Sequence, residues 1–70
     1  MYFPRIRDLR EDGDYKQEYL ASLLGVTQTT YSKYELGKVT VPTASLIKLA
    51  DFYHVSLDYL VGRSDRRNLR

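Results

Sequence analysis

Seventy residues with a formal net charge of +2 specify one domain with a small core. The chain has no cysteine, which excludes a disulfide framework and a cysteine-based zinc site, so stability must come from well-packed helices, with dimerisation as a further source. No apolar run approaches the roughly 18 residues of a membrane span, and Pro4, Arg5, Arg7 and Asp8 interrupt any apolar start to a signal peptide, so a cytoplasmic location is expected.

The pattern predicts a first helix from about Pro4 to Asp12, with Pro in the first turn and Ile6 and Leu9 facing inward. Asp12-Gly13-Asp14 is a turn in which Gly13 stops the helix; the remaining ligands of a calcium loop are missing. A second helix, Gln17 to Leu24, carries Leu20, Leu23 and Leu24 as one stripe, and the small Ala21 lets a neighbouring helix approach. Lys16 cannot accept a capping hydrogen bond, so either Asp14 caps an earlier start or the helix terminus stays open to water or phosphate. Gly25 suits a left-handed helix end, Val26 drops back into the core, and Thr27 is a good N-cap for a third helix, Gln28 to about Glu35. Tyr31 and Tyr34 share a face of this helix; a buried Tyr31 needs a partner for its hydroxyl or a route to the surface. Around the rest of the helix stand Gln28, Thr29, Ser32 and Lys33. Gln can pair bidentately with adenine, Lys suits guanine or phosphate, Thr and Ser are adaptable, and Thr methyls can touch the thymine methyl. The bland alternative is a Thr-rich surface helix of low propensity.

Gly37 ends the third helix, and Val39-Thr40-Val41 is an extended loop before Pro42 and a capping Thr43. Ala44 to Tyr53 is a helix with Leu46, Ile47, Leu49, Ala50 and Tyr53 facing inward and Lys48 and Asp51 outward. His54 is the only histidine and reads as a helix-end residue in a left-handed conformation. Ser56 caps a last short helix, Leu57 to Val61, closed by Gly62, with Leu57, Leu60 and Val61 packed inward and Tyr59 partly exposed. The fold class is therefore all-α, a compact five-helix bundle over residues 1–62, followed by a solvated basic tail, residues 63–70, with Arg63, Arg66, Arg67 and Arg70 against Asp65.

Gln17, Leu20, Ala21, Leu24, Gly25, Val26, Thr27, Gln28, Ser32, Tyr34, Glu35, Gly37 and Lys38 form a run that resembles the helix-turn-helix of the Cro and lambda-repressor-like (XRE-like) regulators. The resemblance continues through Pro42, Leu46, Leu49, Ala50, Val55, Ser56, Leu57, Asp58 and Leu60, and so covers nearly the whole chain. It implies a recognition helix that enters the major groove of double-stranded DNA, with Gln28, Thr29 and Lys33 reading bases and Thr30 and Ser32 joining according to the helix rotation. Gln17, Lys16, Tyr34, Lys38 and Thr40 would hold phosphates, and Arg10 would pair with Glu35 to fix the angle between helices. Relatives often pair through the last helix, so the resemblance implies a homodimer with Tyr59 as a candidate contact and a near-palindromic operator; a monomer with an amphipathic surface Tyr is the alternative. Three positions depart from the family pattern: Lys16 replaces Thr or Ser, Tyr31 an aliphatic residue, and His54 a Gly.

The charge distribution favours nucleic acid more than the net charge does. From Tyr19 to Ala50 the charged residues are Lys33, Glu35, Lys38 and Lys48, a basic excess. An enzyme is not expected: there is no paired His and carboxylate constellation and no Gly-rich phosphate loop, and no cofactor, metal or small-molecule substrate is implied. The leading expectation is a sequence-specific transcriptional repressor. A protein-interaction module on the same fold, antitoxin-like or binding another regulator through Tyr2, Tyr15 and Tyr59, is the alternative. RNA binding ranks third, because no stacking platform is evident.

Overall fold

Local signals along the chain set five helices in a computed structural model, which describes residues 2–67. They are α1 (Pro4–Asp12), α2 (Gln17–Leu24), α3 (Gln28–Leu36), α4 (Thr43–Tyr53) and α5 (Leu57–Leu60), and every regular element among the described residues is a helix. Pro4 occupies the first turn of α1. The helices α2, α3 and α4 end alike. Gly25 (φ 70°), Gly37 (φ 73°) and His54 (φ 56°) each take a left-handed conformation. In each case the next residue's N–H reaches five residues back: Val26 to Ala21, Lys38 to Lys33 and Val55 to Ala50. This double closure satisfies carbonyls that the helix end would leave open.

Gly13 ends α1 as expected, but the left-handed residue of this turn is Asp14, with φ 60°. Gly13 is needed for space, since a Cβ there would lie 2.5 Å from the Tyr15 ring. Asp14 does not cap α2: Lys16 holds the N-cap position with no side-chain hydrogen bond. Thr43 likewise does not cap α4, which starts at that residue with Pro42 before it. The α5 helix stops at Leu60, one residue short of Val61, and Ser56 caps it by accepting the Tyr59 N–H at 3.0 Å.

The core gathers Ile6 and Leu9 from α1, Leu20, Ala21 and Leu24 from α2, Tyr31 and Tyr34 from α3, and Leu46, Leu49 and Ala50 from α4, with Val55 and Leu60 closing its end. Phe3 and Val41, both outside the helices, are buried too and were not assigned to the core from the sequence. Two residues expected inside are on the surface: Ile47 is 46% exposed and Leu57 36%. Leu46, Leu49 and Ala50 complete the inward stripe of α4, and Ile47 lies at its margin. The α2 helix packs on α3, α1 also touches α3, and α4 packs on α5. No helix is long and apolar enough to cross a membrane among the described residues.

Residues 63–67 are mostly exposed, as a solvated tail would be, but they are also tied back to the helices. Arg63 N–H donates to Asp58 O, and Ser56 N–H donates to Arg67 O at 2.9 Å. Arg5 from α1 donates to the carbonyls of Tyr59 and Ser64 and pairs with Asp65 at 3.0 Å. Its guanidinium carbon also lies 4.0 Å from the centre of the Tyr59 ring, and that of Arg67 lies 5.6 Å away. Tyr59 is thus half-covered by its own chain. Arg70 lies outside the described residues.

Candidate nucleic-acid interface

The α3 helix is held by its buried side. Thr27 caps it, accepting the Thr30 N–H at 3.1 Å. Tyr31 is fully buried and Tyr34 is 5% exposed, with their rings edge-on at 6.4 Å. Glu35, also 5% exposed, is the one buried charged residue among the described residues, and three donors meet its carboxylate. Arg10 Nε donates to Oε2 at 2.6 Å, Arg10 Nη2 to Oε1 at 3.2 Å, and Gln17 Nε2 to Oε1 at 3.1 Å. Arg10 Nη1 donates further to the Tyr15 carbonyl at 3.0 Å. One guanidinium thereby ties α1, the turn before α2, and the end of α3 together, so the tilt of α3 is fixed by a bidentate pair rather than by apolar contact alone. Burial alone would raise the Glu35 pKa; the contacts from Arg10, Tyr31 and Gln17 outweigh it and hold the carboxylate below its ordinary value. The same pair raises the pKa of Arg10.

The Tyr31 hydroxyl lies beside this carboxylate but outside strict hydrogen-bond geometry, and the buried Tyr53 hydroxyl meets no partner among the described residues. Burial, first, then the interaction of the hydroxyl with Glu35 as acceptor, and then the Glu35 charge push the Tyr31 pKa up. Glu35 is thus the polar neighbour of the buried Tyr31 phenol.

The opposite side of α3 opens on a shallow groove of about 370 Å³ lined by Gln17, Gln28, Thr29, Ser32, Lys33, Leu36 and Lys38. Four of the five residues singled out as base readers meet here. Thr30 does not: its hydroxyl accepts from Thr27 Oγ1 at 3.0 Å and belongs to the helix cap. Among the residues assigned to phosphate, Gln17 and Lys38 line the groove, while Lys16 stands exposed at the α2 N-terminus and Thr40 is exposed in the loop after α3. The ring of Tyr34 packs on the buried side of α3 and does not line the groove. Gln17 has a second task, because its amide is already bonded to Glu35. Leu36 was not singled out from the sequence. Its spacing was the available signal, since it follows Ser32 by four residues and Lys33 by three on one helix face.

The exposed cations of this surface are Lys16, Lys33 and Lys38. The one acid that α3 carries is neutralised inside by Arg10, so the groove faces outward with a positive, hydrogen-bonding surface. The α2 N-terminus beside it adds unsatisfied backbone N–H groups and the positive end of a helix dipole.

A helix-turn-helix family model matches residues 6–60. The chain is 35% identical over its full length to the HTH-type transcriptional regulator YobD of Bacillus subtilis, of which it spans 69%. It is 40% identical over 93% of its length to the cryptic phage CTXphi transcriptional repressor RstR of Vibrio cholerae, of which it spans 59%. Among solved structures it is similar to the P22 c2 repressor in complex with a synthetic operator, with a TM-score of 0.75 and 27% identity over 86% of this chain and 91% of that one. A transcriptional regulator from Listeria innocua superposes with a TM-score of 0.78 at 29% identity, over 89% of this chain and 61% of that one. Fold, helix-turn-helix and sequence agree on one assignment: the chain belongs to the Cro and lambda-repressor-like (XRE) family of helix-turn-helix proteins.

Proposed function

We propose that the chain is a sequence-specific, double-stranded DNA-binding regulator that represses transcription by seating α3 in the major groove of an operator. The observation that carries this reading is the groove itself, which brings Gln28, Thr29, Ser32, Lys33 and Lys38 together beside the open N-terminus of α2. A surface helix meant only for solvent needs neither this convergence nor a buried ion pair to fix its tilt. The similar phage repressor and the operator-bound P22 protein support the same role.

In this role Gln28 pairs with an adenine edge, Lys33 with guanine, and Thr29 and Ser32 with whichever edge faces them. Lys16, Lys38, Thr40 and the backbone N–H groups at the start of α2 grip phosphates and set the register. The Gln17 amide, held by Glu35, presents its remaining N–H to the same strand. Repression is steric and takes place in the cytoplasm. Two copies bind a near-palindromic operator with half-sites roughly one helical turn apart. The half-covered Tyr59 is a weaker dimer contact than expected, and the exposed Ile47 and Leu57 on α4 and α5 are the better surface for it.

The test is binding of variants to the duplex that the wild-type chain selects. Gln28→Ala should lose preference at one base pair, at a cost of about 1–3 kcal/mol, and Lys33→Ala at a different one. Variants that bind the selected duplex as the wild type does, with unchanged base preference, would remove α3 as the reading element and favour a protein partner.

A further inference from the structure

Leu36 is the only apolar residue among those that line the groove, and it is 57% exposed. Its place on the helix is not marginal. Counting about 100° per residue from Gln28, the residues Ser32, Leu36, Thr29 and Lys33 fall at roughly 40°, 80°, 100° and 140°. Leu36 therefore stands in the middle of the arc that the polar readers define, one turn beyond Ser32 and Lys33. The backbone behind it cannot move inward. Gly37 is left-handed at φ 73° and already packs against Tyr2, whose Cα and Cβ lie 3.2 and 3.1 Å from where a Cβ would stand. The side chain is thus presented outward by a fixed helix end.

An exposed leucine at the centre of a polar reading face needs an apolar complement. The major groove edges offer one such group, the C5-methyl of thymine; every other feature there is a hydrogen-bond donor or acceptor. The eight-residue separation from Gln28 is about 12 Å along the helix, so Leu36 meets a base pair different from the one Gln28 reads. We propose that Leu36 is a specificity-determining residue that packs on a thymine C5-methyl of the operator. This inference rests on the DNA-binding reading above and adds to it an apolar contact at a defined position.

The experiment replaces each thymine of the selected duplex, one at a time, by deoxyuridine, which removes the methyl and nothing else. Wild type, Leu36→Ala and Leu36→Met are titrated against each duplex, and thermal melts confirm that all three fold. The wild type should weaken about fourfold at one position, the value of one buried methyl-sized group. Leu36→Ala should bind the thymine and deoxyuridine duplexes alike at that position, and Leu36→Met should keep the discrimination. If the wild type binds every deoxyuridine duplex as tightly as the parent, while sequence preference persists, the methyl contact is refuted and the DNA-binding reading stands. If Leu36→Ala discriminates as the wild type does, another residue reads the methyl and the assignment to Leu36 is wrong. A change in oligomeric state of Leu36→Ala without DNA would also overturn it, by showing that a second copy covers the residue. Failure to select any duplex would remove the DNA-binding reading and this inference together.

Discussion

Replacing Arg10 with methionine would leave the Glu35 carboxylate buried with only the Gln17 amide as a hydrogen-bond donor. The side chains of Arg10 and Glu35 are 14% and 4% exposed, so the pair is not a surface salt bridge worth a fraction of a kcal/mol. Breaking one side of a buried pair costs about 3–5 kcal/mol, and the partial exposure of the guanidinium places Arg10→Met at the low end, about 3 kcal/mol. A chain of this size has a total stability of roughly 4–10 kcal/mol, so the variant loses a large share of it. In thermal denaturation followed by circular dichroism the Tm should fall by roughly 12–24 °C. The loss should depend on pH with a definite sign. In the wild type the lowered Glu35 pKa contributes stability above the ordinary carboxylate value, and this is lost as pH falls through the folded pKa. In the variant burial outweighs the remaining contacts from Gln17 and Tyr31 and raises the Glu35 pKa, so the charged form is the costly one at neutral pH and protonation relieves it. The gap between wild type and variant should be full near pH 7 and should narrow towards pH 3. Replacing both residues, Arg10→Met with Glu35→Leu, should recover most of the stability, since no unpaired charge remains. A loss for Arg10→Met under about 1 kcal/mol, or one that does not change with pH, would refute the claim that this pair is buried and holds α3.

Two further substitutions test other parts of the fold. Tyr31→Phe removes a buried hydroxyl that lies beside Glu35 outside strict hydrogen-bond geometry, so it should be neutral or stabilise by up to about 1 kcal/mol in urea denaturation; a clear destabilisation would show that the hydroxyl is bonded to Glu35. Gly37→Ala adds a Cβ at a left-handed residue against Tyr2 and should cost about 1–2 kcal/mol, read as a lower urea midpoint with an unchanged slope; a Tm equal to that of the wild type would contradict the left-handed end of α3.

Most of the fold was legible because helix-end signals are local. Thr27, Ser56, Gly25, Gly37 and His54 each act within a turn of their own position, and the sequence shows them directly. What was not legible depends on distance along the chain. The exposure of Ile47 and Leu57 is set by which neighbours the tertiary fold brings to them, which helical periodicity does not encode. Phe3 and Val41 enter the core from irregular segments with no period to read. The clasp of Arg5 on residues 59–65 joins positions more than fifty apart, and nothing in a run of arginines announces it. At the candidate interface, chemical type picked out Gln28, Thr29, Ser32 and Lys33, which the groove gathers. The same criterion selected Thr30, whose hydroxyl serves the cap, and Tyr34, whose ring packs in the core, and it does not pick out Leu36, which carries no polar group.

The most direct measurement is selection from a pool of random duplexes by the purified chain, followed by titration of the enriched duplex at two or more salt concentrations. The account predicts enrichment of a near-palindrome with half-sites about one helical turn apart. Affinity for it should fall linearly on a log–log plot against salt, with a slope of about −2 per bound copy, from Lys16 and Lys38 at about −0.9 for each phosphate neutralised. Binding without enrichment of any sequence, or no binding at all, would contradict the claim that α3 reads an operator.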